Sequence, residues 1–372
     1  MTATLRRLAR APSRVVLSAY VPARTSAWPE ASRLFVVGDQ FGWSIDDDAV
    51  RLTATARRLG YEVAPATWAR YAREQAVFNP DHFGALRPRW LDSTHRLGLS
   101  YFHGRPGTAG YPEFDDVYER LRRNADRVDR VQVTHAEMHD LVASAGVAPG
   151  KIFRIPIGVE IDRFPLGDAH ARANARVALD LPVTAFVVGS FQKDGVGRGA
   201  GNEPKHVKGP DCLVATLERV RDAIPELMVL LTGPARGYVR GELERLAIPY
   251  AHAVLATRDE LAVAYHALDV YLVASRQEGG PKATFEATAA GVPLVTTRVG
   301  QAQEVLTHEH DALLADIDDV SALADGIRRV YEDVTLTPRL RANGRATAEA
   351  FSDERLDTRW AQLLDGFVHR AA

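Results

Sequence analysis

Glu278 and Glu286 stand at the two ends of a short span whose residue types suit a polyhydroxylated ligand. Gly279 and Gly280 let the backbone approach a polar ligand closely, and a helix beginning after Pro281 would offer unpaired N–H groups to an anion. The two carboxylates, at different depths of one loop and helix, would therefore contact different hydroxyls of one ligand. The alternative is an exposed acid followed by a glutamate that complements the helix dipole.

The residues around this span predict a strand, a tight loop and a helix. Val270–Val273 is apolar and strand-like, and small residues follow Glu286 as far as Gly291. In an open α/β sheet, ligands bind in the loops at the carboxyl ends of the strands. The span is therefore predicted to lie where such a sheet binds its ligand.

His103 and Arg105 are the candidates for chemistry in the first half of the chain. His103 follows the strand-like residues 99–102, so it should lie at the carboxyl end of a strand and point into a cleft. The alternative for His103 is a loop histidine with a structural hydrogen bond. Arg105 would contact an acceptor or a phosphate.

The alternation of strand-like and helix-like segments predicts an α/β fold with doubly wound parallel sheets. A chain of 372 residues exceeds the usual size of a single hydrophobic core, so two domains are expected. A linker rich in Ala, Asp and Pro is expected from about Asp162 to Pro182. In such a two-domain protein, the ligands are expected between the halves.

Composition excludes several classes of protein. The 46 basic and 48 acidic side chains nearly cancel, which leaves no global footprint for nucleic acid. The single cysteine, Cys212, excludes an internal disulfide framework, favours a reducing cytoplasm and is expected in the core. The apolar runs are of strand length and too short to cross a membrane. The arginine-rich residues 6–14 predict a solvated tail, with a weak anchor on anionic lipid as the alternative.

Metal binding is not predicted. No group of histidines or carboxylates has the spacing of metal ligands. The three consecutive acids at 46–48 would face different ways at the start of a helix, which favours a solvated helix N-terminus.

The chain resembles the retaining glycosyltransferases of GT-B architecture, in particular family 4 (glycosyl transferases group 1). Residues 278–286 resemble the E-x7-E signature of that family, and residues 290–295 resemble the Gly-x-Pro-Val stretch that follows it. Gly42-Trp43, the segment 134–164 and Lys208-Gly209 resemble further family motifs. The chain departs from the family pattern at five places: Trp43 for a glycine, Ile157 for an asparagine, Ser190 for an arginine, Gly280-Pro281 for an aromatic-glycine pair, and Lys282 for the apolar residue that follows that pair.

This resemblance implies two Rossmann-like domains with an interdomain cleft. The first, residues 1–165 joined by a terminal helix in 352–372, would bind the acceptor, and the second, residues 166–351, the nucleotide sugar. The implied reaction is a retaining, metal-independent transfer of the hexosyltransferase type to a sugar, lipid-linked or small-molecule acceptor. No cofactor is implied beyond the nucleotide sugar as co-substrate.

The resemblance also implies residue roles. Glu278 would orient the transferred sugar, Glu286 would bind the ribose diol, and Lys208 would stabilise the departing diphosphate. The implied catalytic residues are His103, Glu278 and Lys208. The implied donor-binding residues are Lys193, Lys208, Glu278, Gly279, Gly280, Pro281, Lys282 and Glu286. The acceptor-side residues are Gly42, Trp43 and Arg105. Lys193 is the substitute for the arginine missing at Ser190, with a surface lysine as the alternative.

Two other functions stay open at this point: a nucleotide-sugar epimerase or hydrolase on the same fold, and a non-catalytic nucleotide-sugar-binding protein. The glycine-rich residues 195–201 predict either a lid over the phosphates or a flexible insertion. The expected partners are a nucleotide-sugar donor and a carbohydrate or glycoconjugate acceptor, without nucleic acid. The expected location is the cytoplasm, with peripheral contact at the inner membrane face as the alternative.

Overall fold

The computed structural model describes Thr25 and residues 27–39, 44–197 and 199–370, without the side chain of Ser44. These residues form two compact units. The first contains the described residues up to Ile155 and those from Asp357 onward, and the second is Pro156–Leu356. The second unit therefore begins earlier and ends later than the domain expected at 166–351.

The first unit contains a parallel sheet of six strands in the order β2-β1-β3-β4-β5-β6. The strands are β1 (Leu34–Val36), β2 (Val63–Ala64), β3 (Ala76–Asn79), β4 (Arg96–Ser100), β5 (Val128–Val133) and β6 (Ile152–Arg154). The helices are α1 (Ser44–Arg58), α2 (His82–Ala85), α3 (Pro88–Leu91), α4 (Pro112–Arg123) and α5 (Ala136–Ser144), and the 3₁₀ helices are Ala66–Tyr71, Ala125–Arg127 and Pro149–Lys151.

The side chains along β1 and the residue that follows it show that both faces of this sheet are covered by apolar residues. Phe35 and Val37 pack in one apolar cluster, whereas Leu34 and Val36 pack in another. Successive side chains of a strand point to opposite faces, so each cluster covers one face. Parallel sheets are normally buried in this way, and their strands are accordingly continuous apolar runs.

The C-terminal segment of the described chain completes the first unit. Its helix, Asp357–Leu364, is followed by Phe367, whose ring lies 6.5 Å from that of Phe78 in an edge-to-face arrangement. The Arg58 guanidinium donates to both carboxylate oxygens of Asp357, at 2.5 and 2.7 Å. The described residues from Asp357 onward therefore belong to the same compact unit as those up to Ile155.

The second unit contains a second parallel sheet of six strands in the order β12-β11-β10-β7-β8-β9. The strands are β7 (Phe186–Ser190), β8 (Leu227–Thr232), β9 (Tyr250–Ala253), β10 (Val270–Val273), β11 (Leu294–Thr297) and β12 (Leu313–Ala315). The helices are α6 (Ala169–Ala178), α7 (Pro210–Val220), α8 (Gly237–Arg245), α9 (Arg258–His266), α10 (Lys282–Ala289), α11 (Ala302–Val305), α12 (Val320–Glu332) and α13 (Leu336–Ala350), with a 3₁₀ helix at His206–Lys208.

The prediction of a linker over residues 162–182 is wrong for most of that segment. It contains α6, whose first N–H groups are capped by Asp168, and the buried Arg176 of α6 pairs with Asp269 at 2.7 Å. The run of alanines that suggested a linker is helix-forming, and one of them, Ala175, is buried in the core. The fold prediction itself, two doubly wound parallel sheets, is confirmed.

Cys212 lies in α7 and is buried, as predicted. Burial raises the pKa of its thiol to about 11, which makes it a poor nucleophile at neutral pH. Among the described helices, none has both the length and the apolar character needed to cross a bilayer.

Candidate functional site

The strand order of the second unit marks one edge of the sheet as the place for a ligand. β7 and β10 are neighbours, but the chain leaves β7 toward β8 on one side and β10 toward β11 on the other. The loops that follow β7 and β10 therefore diverge, and such a switch point forms a crevice at the carboxyl ends of the strands. These two loops contain Lys193 and Glu278, both of which were predicted to bind the donor.

Glu278 lies in the loop after β10 and is paired with Lys208. The Lys208 ammonium is 2.5 Å from one carboxylate oxygen of Glu278, and the Ser275 hydroxyl lies 3.1 Å from the other. The side chain of Glu278 is only 8 % exposed, and that of Lys208 is 22 % exposed. A carboxylate at this depth needs a partner of opposite charge, because an unpaired buried charge is strongly destabilising. The structure thus brings together two of the predicted catalytic residues.

A tight turn holds Lys208 beside β10. The 3₁₀ helix His206–Lys208 ends at Gly209, whose φ of 61° is left-handed. A Cβ atom on Gly209 would overlap the Ala274 carbonyl, so only glycine lets the two segments approach this closely. The side chain of Gln192, from the loop after β7, donates to the Lys208 carbonyl at 2.9 Å.

Gln301 fixes the Gly279-Gly280 turn. Its backbone N–H donates to the Gly279 carbonyl at 3.1 Å, and a Cβ atom on Gly280 would lie 2.5 Å from its side-chain oxygen. The same side chain accepts from the N–H of Ile157 at 2.7 Å and donates to the Ile157 carbonyl at 3.0 Å. The second glycine is therefore required by packing, and Ile157, which replaces an asparagine, is held through its backbone.

Glu286 lies one helical turn inside α10, which begins at Lys282 after Pro281. Its two carboxylate oxygens accept from different side chains of α9: Arg258 at 2.6 Å and the Tyr265 hydroxyl at 2.9 Å. Glu286 is 5 % exposed and Tyr265 is fully buried. Burial, followed by the nearby Glu286 charge, raises the pKa of Tyr265 well above its usual range, so this phenol stays a donor.

Lys193 is partly exposed and stands between Gln192 and a buried ion pair. Arg236 donates to Asp194 at 3.0 Å through Nε and to the Ser190 carbonyl at 2.5 Å through a terminal nitrogen. Burial raises the pKa of Asp194, an effect that the Arg236 charge opposes. Asp194 thus pairs with the guanidinium beside Ser190, and Lys193 stays the predicted donor-binding cation of this loop.

The described residues of the glycine-rich segment make backbone contacts at both of its ends. Gly195 and Pro204 form an antiparallel bridge, and the carbonyls of Ala200 and Gly201 accept from the first N–H groups of α8. Cβ atoms on Gly195 and Gly201 would overlap the Ala235 backbone, so both glycines allow this docking. The choice between a lid and an insertion stays open.

His103 of the first unit lies just beyond β4, as predicted from its position after a strand. Its ring is 5.6 Å from that of His82 and 5.7 Å from that of Phe114, edge-on to both. His82 is buried and stacks on Tyr101 at 4.2 Å. Desolvation lowers the pKa of His82 to about 3, so it is neutral at physiological pH.

Arg105 forms an ion pair with Glu137, in the first turn of α5. His135, which is buried, lies 3.7 Å from the other oxygen of Glu137. The nearby His135 is the main cause of a lowered pKa at Glu137, with Arg105 adding to it. The other acceptor-side residues, Gly42 and Trp43, lie outside the described residues, so their assignment stays a prediction.

Sequence reasoning missed the residues that hold the two key carboxylates. Arg258 and Tyr265 precede Glu286 by 28 and 21 positions, and Ser275 precedes Glu278 by three. Arg258 and Tyr265 are seven residues apart, which places them on one face of a helix, and this was the available signal. In the part of the chain that the structure describes, no group of three or more His, Cys, Asp or Glu could hold a metal ion.

Comparison with solved structures defines the class of fold. The chain is similar to Anabaena HepE in complex with UDP and glucose, with a TM-score of 0.69 and 15 % identity over 90 % of this chain and 100 % of that chain. It is equally similar to sucrose-phosphate synthase from Thermosynechococcus elongatus, with a TM-score of 0.69 and 18 % identity over 90 % of this chain and 98 % of the other. The fold is therefore that of the GT-B glycosyltransferases.

Sequence comparison then gives the family. The family described as glycosyl transferases group 1 matches residues 197–333. A D-inositol 3-phosphate glycosyltransferase of Geodermatophilus obscurus is 31 % identical over 83 % of this chain and 72 % of its own length. The chain belongs to the glycosyl transferases group 1 family, also known as family 4.

Other relatives are matched over a smaller part of their length. A D-inositol 3-phosphate glycosyltransferase of Corynebacterium urealyticum is 29 % identical over 66 % of this chain, and the match spans 58 % of that relative. A protein of the same description from Xylanimonas cellulosilytica is 33 % identical over 64 % of this chain and 56 % of its own length.

Proposed function

We propose that this chain is a retaining glycosyltransferase that moves a sugar from a nucleotide-sugar donor to a hydroxyl of a carbohydrate or glycoconjugate acceptor. One observation carries the proposal. Lys208 and Glu278 meet at the switch point of the second sheet, and Glu286 lies on the helix that follows the same loop. A cation for a diphosphate and two carboxylates for hydroxyls are the groups that a nucleotide sugar requires.

The diphosphate is assigned to Lys208, with Lys193 as a second cation. When the bond between sugar and phosphate breaks, negative charge grows on the departing diphosphate, and a fixed cation lowers the barrier. The backbone from Gly279 to Lys282 adds N–H groups at the start of α10. Lys208 exchanges part of its interaction with Glu278 for the phosphate oxygens when the donor binds.

The sugar hydroxyls are assigned to Glu278 and the ribose diol to Glu286. Glu278 keeps acceptor capacity beyond its contacts with Lys208 and Ser275, because an ionised carboxylate accepts about four hydrogen bonds. In a retaining reaction of the front-side kind, the departing phosphate helps to take the proton of the acceptor hydroxyl. No metal ion or cofactor is assigned, since the lysines supply the positive charge.

The acceptor is assigned to the first unit, at the carboxyl ends of its strands. His103 is the proposed catalytic residue there, with Arg105, Gly42 and Trp43 on the acceptor side. The matched relatives described as D-inositol 3-phosphate glycosyltransferases make a cyclitol or a sugar the first acceptor class to test. The single cysteine agrees with a reducing compartment, and we assign the reaction to the cytoplasm.

The test is a donor screen followed by a product analysis. Nucleotide sugars are first ranked by thermal shift, since a ligand well above its Kd adds about 2–4 kcal/mol to the free energy of unfolding. The best donor is then incubated with acceptors, including inositol and inositol phosphates, and the new linkage is read by NMR. Transfer with the donor's anomeric configuration kept, unchanged by EDTA, is the expected result. Steady consumption of the donor without an acceptor would instead indicate an epimerase or hydrolase.

A further inference from the structure

Arg276 links three segments of the second unit through its side chain. It lies in the loop after β10, two residues before Glu278. Its guanidinium donates to both carboxylate oxygens of Asp211, in the first turn of α7, at 2.7 Å each. Its Nε donates to Asp318, between β12 and α12, at 2.6 Å. A bidentate pair fixes the direction of the guanidinium as well as its distance, so the loop is held at one position against α7.

The same arginine binds the turn that contains Lys208. Its side chain donates to the His206 carbonyl at 2.9 Å, and its backbone N–H donates to the Val207 carbonyl at 2.9 Å. His206 and Val207 are the first two residues of the 3₁₀ helix that ends with Lys208. Arg276 therefore sets the position of this turn, and of the Lys208 ammonium, relative to the loop after β10.

The contacts of Arg276 assign it to holding protein groups rather than a ligand. Four of its five N–H donors are used: one on Nε, two on one terminal nitrogen and one on the other. The hydrogen bond between Arg276 and Asp211 is the main cause of a lowered pKa at Asp211 and of a raised pKa at Arg276, so both groups are charged at neutral pH. Their side chains are 27 and 37 % exposed, and pairs at such exposure add little to stability. Loss of the pair should therefore affect geometry more than folding.

Asp318 stands in a backbone conformation that side chains seldom adopt. Its φ is 68°, in the left-handed region. The next residue, Asp319, caps α12 by accepting from the Ala322 N–H at 2.9 Å. Such a backbone persists only where the surrounding contacts fix it, and the hydrogen bond from Arg276 is one of these contacts. The partner of Arg276 on this side is thus fixed at the start of a helix.

We infer that Arg276 is a positioning residue for the transfer reaction: with Asp211 and Asp318, it holds the Lys208 ammonium where it can act on the departing diphosphate. This inference rests on the proposed function, because it takes Lys208 to stabilise that leaving group. It adds to the site a network of side chains that touches no substrate.

The first measurement is steady-state kinetics with the donor and acceptor found by the screen. Arg276→Met should lower kcat by about 10- to 100-fold, because a cation displaced by about 1 Å loses much of its effect. The KM for the donor should change by less than about threefold, since Arg276 does not touch it. Arg276→Lys should retain only part of kcat, because an ammonium cannot replace the bidentate fork.

A double variant tests whether the effect passes through Lys208. When Lys208 is already methionine, there is no ammonium left to position. Arg276→Met added to Lys208→Met should therefore lower kcat further by less than about threefold.

A second measurement needs neither donor nor acceptor. The Lys208 ammonium is paired with Glu278 and only 22 % exposed, so acetic anhydride should modify it slowly in the wild type. In Arg276→Met the modification of Lys208, read by mass spectrometry, should be about three- to tenfold faster, because the pair is loosened. Lys151 of the first unit, which donates to the Val128 carbonyl at 2.6 Å, is the internal reference and should react at an unchanged rate.

Arg329 provides a matched control in the same unit. It is 32 % exposed and pairs at 2.6 Å with Glu309, whose φ of 62° is left-handed like that of Asp318. Among the described contacts it has none with Lys208 or Glu278. Arg329→Met should leave both kcat and the labelling of Lys208 unchanged. Circular dichroism shows whether each variant folds, and Asp211→Asn and Asp318→Asn provide the same test if Arg276→Met does not.

The results that would count against us are distinguishable. Wild-type kcat and wild-type labelling of Lys208 in Arg276→Met overturn the inference, while activity of the wild type still supports the proposed function. A loss from Arg276→Met that is undiminished in the Lys208→Met background also overturns it, as does an equal loss in Arg329→Met. Absence of transfer by the wild type with every donor and acceptor overturns the proposed function and, with it, the inference.

Discussion

At the scale of single residues, each key carboxylate of the candidate site already has a cationic partner. Glu278 pairs with Lys208 and Glu286 with Arg258, at 2.5 and 2.6 Å. Both carboxylates are less than a tenth exposed, so these pairs compensate for the loss of water. A ligand therefore enters a site whose charges are balanced, and the effect of a substitution depends on which half of a pair it removes.

The two glutamates should differ in their effect on nucleoside diphosphate binding. Glu286→Gln should weaken UDP binding by about 10- to 100-fold, because a charged acceptor is replaced by a neutral amide. Glu278→Gln should leave UDP binding equal or tighter, since UDP lacks the transferred sugar and Lys208 loses its competing partner. Turnover with the full donor should fall in both variants. Titration calorimetry and steady-state kinetics on the same preparations separate these effects. An equal loss of UDP affinity in the two variants would contradict the assignment of Glu286 to the ribose and of Glu278 to the transferred sugar.

Lys208 should matter for the chemical step. Lys208→Met should lower kcat by about 10²- to 10³-fold, because the cation stabilises charge that develops on the leaving diphosphate. Lys193→Met should act in the same direction with a smaller effect. Lys205→Met, three residues before Lys208 and outside the predicted donor set, is the control and should retain activity. Wild-type kcat in Lys208→Met would remove this residue from the catalytic assignment.

His82 should make the first unit sensitive to acid. Its pKa is about 3 in the folded state and 6.5 in an unstructured chain, so the unfolded protein takes up a proton over this range while the folded protein does not. The free energy of unfolding should therefore fall as pH decreases through this window, by about 1.6 kcal/mol from His82 alone between pH 6.5 and pH 5. In His82→Phe, which keeps an aromatic ring against Tyr101, the loss should be smaller by that amount. Urea melts at both pH values measure the difference, and parallel pH dependence in the two proteins would refute it.

At the scale of helices and strands, the site depends on close backbone approach between the loops after β7 and β10. Gly209 brings the turn after the 3₁₀ helix against Ala274, and Gly280 leaves room for Gln301. Neither residue contributes a side chain to the chemistry. They allow the close approach of the backbone segments that brings Lys208 next to Glu278.

Substitution of Gly209 tests this dependence. Gly209→Ala should lower the free energy of unfolding by about 2–4 kcal/mol, from overlap with the Ala274 carbonyl and from the left-handed backbone. Gly233 has a similar backbone, with φ of 81°, but a Cβ atom there would meet nothing within 4 Å. Gly233→Ala is therefore the matched control, with a cost of about 1–2 kcal/mol. Chemical denaturation gives both values, and equal costs would mean that the close approach is unimportant.

The sequence predicted strands and helices better than it predicted the side-chain contacts between them. Strand β10 was expected at its observed position, because Val270–Val273 is a short apolar run that is followed by turn residues. Residues 169–178 were assigned to a linker, since alanine and charged residues without a strong apolar stripe give a weak helix signal. The resemblance placed Glu278 and Lys208 in one donor site but did not predict their direct ion pair. It gave no partner for Glu286, because Arg258 lies on a different helix, outside the motif that contains Glu286.

At the scale of the whole molecule, each unit has its own apolar clusters. In the first unit, Phe78 and Phe367 share a cluster with Leu34 and Leu363. In the second, the strands and helices between Phe186 and Leu340 enclose a separate cluster that includes Leu243. We therefore expect each unit to unfold locally without unfolding of the other.

Hydrogen exchange should show this separation. Phe367→Ala removes a ring that is 1 % exposed and should cost about 3–5 kcal/mol in the first unit. Amides of β1, β3 and β4 should then exchange faster, and those of β7, β8 and β10 should be unchanged. Leu243→Ala, in α8 of the second unit, should give the reverse pattern. Equal acceleration in both units for either variant would show that the two open together.

Residues 357–370 come last in the described chain but belong to the first unit, and this affects the order in which the units are completed during translation. A ribosome makes the whole of Pro156–Leu356 before it makes Leu363, Leu364 and Phe367, which cover part of the first sheet. The second unit is therefore the first to have all of its residues, although it comes later along the chain. Until the last segment emerges, Phe78 and its apolar neighbours lack this cover, so the nascent first unit presents the surface that chaperones bind.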